Sequence, residues 1–154
     1  MKILNNTNAV DYTLSGSGRT LIHVCNNKGV MGSGIALEIK NKIPSAFTKY
    51  KDSCKLGEIS SSDCYNVINL VAQDSYASNR SNYGKTRYLN YGALSSCLSE
   101  INIFELQDLD VTEIVIPYNM GAFRAGGDFE IVKELVDWHL GGIFNITICR
   151  LDRG

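Results

Sequence analysis

The 154-residue chain lacks a charge excess of either sign: 15 Lys and Arg stand against 16 Asp and Glu, a formal net charge of −1. That near-balance argues against tight, sequence-independent nucleic-acid binding, which draws on many uncompensated cations. It leaves room for a small anionic ligand, because a local field counts for more than a total. The five cysteines, Cys25, Cys54, Cys64, Cys97 and Cys149, include no CxxC pair. No structural zinc site is expected, and the thiols read as reduced, several buried as small apolar groups. No apolar run reaches the length of a membrane span. The opening Met1, Lys2, Ile3 and Leu4 begin no signal-peptide core. A cytoplasmic monomer with no membrane contact, nucleic-acid partner, metal or cofactor is therefore expected. Neither repeat nor linker interrupts the chain, and its length suits one domain, 1–154, with a sizeable core.

Against these absences stand short apolar runs that alternate with helical patterns. Strands are expected over 2–4, 20–24, 65–72, 113–116 and 144–149. Ile114, Val115 and Ile116 form a continuous run suited to a strand buried on both faces, as do Ile68, Leu70 and Val71. Helices are expected over 33–42, 45–55 (after Pro44), 91–107 and 128–140. The third carries Leu94, Leu98, Ile101 and Phe104 as one stripe, and the fourth carries Phe129, Val132, Val136 and Leu140. Strands separated by such helices predict an α/β layer sandwich. Ligands of such sheets sit beyond the carboxyl ends of the strands. Two glycine-rich loops fall there: 25–32, and 118–127. The segment 74–90, rich in Ser, Asn, Tyr, Arg and Lys, is long for a structureless loop and reads as functional or mobile.

The first loop runs through Asn26, Asn27, Lys28, Gly29, Met31, Gly32, Ser33 and Gly34 into a helix. Unpaired amides and a positive helix end converge there, which suits phosphate. Leu37 stands where a GxGxxG fingerprint needs its last glycine, so a dinucleotide fold is not supported. Gly84, Lys85 and Thr86 resemble a P-loop tail, but Asn79 replaces the required first glycine. The second loop holds Gly121, Ala122, Phe123, Arg124, Ala125, Gly126, Gly127 and Asp128. The two loops could clamp a diphosphate from opposite sides, with Phe123 against a sugar and Arg124 on phosphate. Asp128 fits either a helix cap or a catalytic carboxylate. His23, at a strand end beside the first loop, is a candidate acid/base.

Asn26 to Gly29 with Met31 to Ala36, Asn69 to Gln73, Tyr91 heading a helix, and Ile116, Pro117 with Gly121 to Gly126 occur in an order and spacing that resemble the macro domain family over nearly the whole chain. Residues 23–26 and the expected helix Glu38–Pro44 look most like its ADP-ribose 1″-phosphate phosphatase branch, which is related to the terminal ADP-ribose-glutamate hydrolases and common in phages and bacteria. The resemblance implies a three-layer αβα sandwich with a central mixed sheet, and ADP-ribose bound in a cleft at the sheet's crest. It implies that Asn8 reads adenine where the family often has Asp, and that Asn26 and Asn27 face the distal ribose. Gly32, Ser33 and Gly34 would offer amides to the diphosphate, with Gly121, Ala122, Phe123, Arg124, Ala125 and Gly126 wrapping its other side. His23 and Asp128 become the expected acid/base pair, and Lys28 and Arg124 the charge stabilisers. The related hydrolase branch uses a lysine that forms an adduct with ribose; here Val71, Ala72, Gln73 and Asp74 supply none. Phosphate-monoester hydrolysis is therefore the expected activity, with mono-ADP-ribosyl hydrolysis or simple ADP-ribose binding as alternatives.

Overall fold

A computed structural model describes residues 1–151. Six strands, β1 (Lys2–Asn5), β2 (Arg19–Asn26), β3 (Ile59–Ser61), β4 (Val67–Gln73), β5 (Glu113–Pro117) and β6 (Asn145–Arg150), form one sheet of order β1-β6-β5-β2-β4-β3. All neighbours run parallel except β3, which pairs antiparallel with β4. The sheet is mixed, as expected. Helices cover both faces: α1 (Ala9–Leu14), α2 (Gly34–Lys42) and α3 (Pro44–Asp52) on one, α4 (Tyr91–Glu100), α5 (Ile103–Asp108) and α6 (Phe129–Val136) on the other.

Alternation along each strand feeds two cores. Leu21, Val67, Val115 and Cys149 pack with Ala9, Val10, Ile39 and Ala46 beneath α1–α3. Ile22, Ile68, Ile114 and Ile116 pack with Leu94, Leu98, Val132 and Val136 beneath α4–α6. Burial on both faces is why these strands read as unbroken apolar runs.

The structure departs from the sequence reading where polar local chemistry overrides pattern. The helix expected over 91–107 is two helices: Ile101 adopts an extended conformation, and the Asn102 side chain caps α5 by accepting from the Glu105 amide at 3.1 Å. Phe104 consequently leaves the expected stripe and is 80% exposed. The last helix is α-helical to Val136 and then widens into a π-turn, Asp137–Gly141. Strand β4 starts at Val67 rather than Tyr65, whose φ of 56° is left-handed. Helix α1 and the short polar strand β3 were not expected. Among the described residues no helix is long and apolar enough to cross a membrane.

Candidate functional site

Because β2, β4 and β5 are parallel, their carboxyl ends open at the same edge of the sheet. Three segments leave them: residues 27–33, 74–90 and 118–128. They meet. Arg124 Nη1 donates to Ser33 Oγ at 2.6 Å, joining the two glycine loops across the cleft. Asn27 ties the first loop to the end of β4: its Nδ2 donates to Asp74 Oδ1 at 3.0 Å, and its Oδ1 accepts from the Ser75 amide at 2.9 Å. The 74–90 segment then lies along the second loop. The Tyr88 and Leu89 amides donate to the Ala125 carbonyl at 2.8 and 3.1 Å, and Tyr83 stacks edge-on against Phe123 at 5.8 Å between centroids. The Arg124 guanidinium sits 5.1 Å over the Tyr83 ring. Far from being structureless, 74–90 is closed by a bridge between Gln73 and Leu89 and carries a 3-10 turn at Arg80–Asn82.

Gly126 shows why the second loop needs glycine. Its φ is +73°, and a Cβ there would meet the Thr86 carbonyl and lie 3.0 Å from the Arg87 Cα. Gly121, at φ +72°, faces the buried Leu89 side chain in the same way. Ala122 lies half-buried between the two glycines, and Ala125 is buried. Gly32, Ser33 and Gly34 are exposed at the start of α2. Ser33 makes no side-chain cap bond, so its hydroxyl is available to Arg124. Lys28, Arg80, Lys85, Arg87 and Arg124 are all exposed around this edge. No carboxylate lies within ion-pair distance of any of them among the described residues. The edge is therefore locally cationic although the chain is not.

Several of the expected site residues are engaged within the protein. His23 does not face the cleft. It is 1% exposed, and its Nε2 lies 2.6 Å from Asn69 Oδ1. Asn69 commits its own Nδ2 to the Ala46 carbonyl and Ser60 Oγ, so its oxygen receives the imidazole N–H. Burial lowers the His23 pKa to about 4, against the partial support of the Asn69 hydrogen bond. A buried imidazole bonded to Asn69 gives the expected acid/base role of His23 no support in this geometry. Asn8 caps α1, accepting from the Asp11 amide at 2.9 Å, while its Nδ2 donates to both Glu38 oxygens at 3.1 and 2.9 Å. The amide expected to read adenine is thus engaged within the protein. Asn26 turns inward: Nδ2 donates to the Val30 carbonyl, and Oδ1 accepts from the Lys28 amide, each at 2.9 Å. Asp128 takes the cap role at α6, Oδ1 accepting from the Glu130 amide at 2.9 Å. The Asp128 amide in turn donates to the Tyr91 hydroxyl at 2.8 Å. Its carboxylate remains exposed.

Two residues of the site were missed. Asp74 presents a carboxylate at the mouth of the first loop, and its position directly after β4 was the available signal. Tyr50, on α3, is wholly buried beneath that loop, and nothing in its local sequence marks it.

Two surface depressions, of about 550 and 280 Å³, lie at the opposite ends of the strands, near Thr112 and Asn145 and near Arg19 and Asn66. Neither includes a residue of the three converging segments.

No protein-family model matches the chain. A DNA ADP-ribosyl glycohydrolase of Mycobacterium tuberculosis is 26% identical over 125 residues, 74% of this chain and 32% of that protein. An ADP-ribose 1″-phosphate phosphatase of Aspergillus clavatus is 42% identical over 57 residues, 37% of this chain and 28% of that protein. The matched region thus spans about a third or less of the length of these curated relatives. Among solved structures, the macrodomain of Mycobacterium tuberculosis DarG superposes with a TM-score of 0.66 at 19% identity, covering 96% of both chains. Thermosipho africanus DarTG in complex with ADP-ribose gives 0.60 at 19% identity, covering 85% of this chain and 37% of that one. Taken with the mixed six-stranded sheet and the two facing glycine loops, these likenesses show that the chain has the macro domain fold.

Proposed function

We propose that the chain binds ADP-ribose across the two glycine loops and hydrolyses ADP-ribose 1″-phosphate to ADP-ribose and phosphate. The observation that carries this reading is the Arg124–Ser33 bridge. It brings a guanidinium and the start of α2 into direct contact, so that a diphosphate displacing the bridge finds a donor group on each side. Exposed Phe123 offers a ring face to a ribose. The curated phosphatase relative supports the phosphate-ester substrate.

With His23 in the core, the acid/base work falls to carboxylates. Asp74 is the stronger candidate, since its Oδ1 is fixed by Asn27 at the end where the distal ribose is expected. Its role is to take a proton from the water that attacks phosphorus and to return it to the ribose oxygen as the bond between phosphorus and that oxygen breaks, leaving ADP-ribose and inorganic phosphate. Arg124 and Lys28 offset charge on the phosphoryl oxygens. Asp128 is the second carboxylate, at the far end of the second loop.

Calorimetry with ADP-ribose and a phosphate-release assay test both halves. Arg124→Ala is expected to weaken ADP-ribose binding roughly tenfold or more. Asp74→Asn is expected to keep binding and lose about a hundredfold in phosphate release. Absence of ADP-ribose binding sinks the reading altogether; binding without phosphate release leaves a non-catalytic binder.

A second reading, removal of ADP-ribose from a macromolecule, is favoured by one observation: the glycohydrolase relative matches twice as much of this chain as the phosphatase does, 74% against 37%. Release of ADP-ribose from modified DNA or protein, with no phosphate release, would select it.

A further inference from the structure

We propose that Tyr50 is a positioning residue that sets the conformation of the first ligand loop from beneath. The inference rests on the reading of that loop as the ADP-ribose site and goes one step deeper, to what gives it its shape. The loop begins badly for a rigid site. Strand register slips between Cys25 and Asn26, and Gly29 takes a φ of +74°. Of Lys28, Gly29 and Val30, only Gly29 is not exposed.

The phenol of Tyr50 gathers this segment at one oxygen. It accepts from the Val30 amide at 3.1 Å and lies 2.7 Å from the Asn26 carbonyl and 2.8 Å from Asn26 Oδ1, to either of which its proton is donated. Asn26 closes the knot through its bonds to Lys28 and Val30. The ring below is locked among Cys25, Met31 and Val71. Burial also pushes the phenol's pKa upward, so it keeps its proton. Residues 26–30, which lead into the Gly32, Ser33 and Gly34 amides, are thus held by a side chain that reaches them from α3.

Tyr50→Phe keeps the ring and deletes the hub. Two readouts separate a positioning role from simple core filling. Tryptic cleavage after Lys28 under native conditions is expected to accelerate about tenfold, while the rate of global unfolding changes far less. The Kd for ADP-ribose is expected to rise about fivefold to twentyfold. Asn26→Ala, which opens the same knot without touching the core, is expected to do likewise, and the double variant to add little to either. A Tyr50→Phe protein cleaved after Lys28 at the wild-type rate overturns the restraint. Faster cleavage with unchanged ADP-ribose affinity overturns its link to binding, as do additive effects in the double variant. If the wild type fails to bind ADP-ribose, the functional reading falls, while the cleavage arm still decides what Tyr50 does.

Discussion

A histidine that is 1% exposed and bonded to Asn69 takes up a proton only at the expense of the fold. The native His23 pKa lies near 4, below the ordinary value near 6.5 that the unfolded chain regains. Between these values the unfolded chain holds a proton that the native one refuses. Stability from this group is therefore complete above about pH 6.5 and declines as pH falls, by roughly 3 kcal/mol once both states are protonated. Urea melts at pH 7, 5.5 and 4.5 are expected to show this loss in wild type, and His23→Gln to flatten it whatever its own stability. An equal slope in the variant rules the account out. The sequence placed His23 correctly beside the first loop but not on the correct side of the sheet. Its i−2 and i+2 neighbours, Leu21 and Cys25, are both buried on the α1–α3 face, and that parity was the signal to follow. The Tyr50–Asn26 and His23–Asn69 bonds were beyond sequence reading for a different reason: their partners lie 24 and 46 residues apart and are known only once the chain has folded.

At the scale of elements, strands buried on both faces were legible because two cores demand uninterrupted apolar runs. The break between α4 and α5 was not, because Asn102 as a cap outweighs a four-residue stripe. Helix α1 has only six residues, too few for a periodic pattern, and β3 joins the sheet chiefly through backbone pairing of Ile-Ser-Ser. The 74–90 segment was recognised as long but not as the third wall of the site. Its packing on the second loop depends on Gly126, so Gly126→Ala is expected to separate the two. Thermal melts are expected to show a loss of about 1–3 kcal/mol, from a left-handed non-glycine and a displaced Thr86–Arg87 backbone. ADP-ribose affinity should fall with it. A variant as stable as wild type, with unchanged affinity, counts against this coupling of the two segments.

Across the whole molecule, charge is separated although the total is near zero. Acidic side chains crowd the α5–α6 side, with Glu105, Asp108, Asp110, Glu130, Glu134 and Asp137, while Lys28, Arg80, Lys85, Arg87 and Arg124 ring the crest. Net charge alone would predict an anionic ligand to be indifferent to salt. The local arrangement predicts instead that the Kd for ADP-ribose rises about threefold to tenfold between 50 and 500 mM NaCl. Replacing Lys85 and Arg87 by Gln should flatten that dependence; calorimetry across the salt series decides, and a flat wild-type response counts against it. The link between Arg124 and Ser33 has a consequence for selectivity. A ligand with a single phosphate that displaces it satisfies one wall and strands the other. A diphosphate reaching both walls gives Arg124 and Ser33 new partners in the same step. On the proposed reading the latch would screen ligands by reach, and the molecule to pass would be the one long enough to take the place of both of its halves.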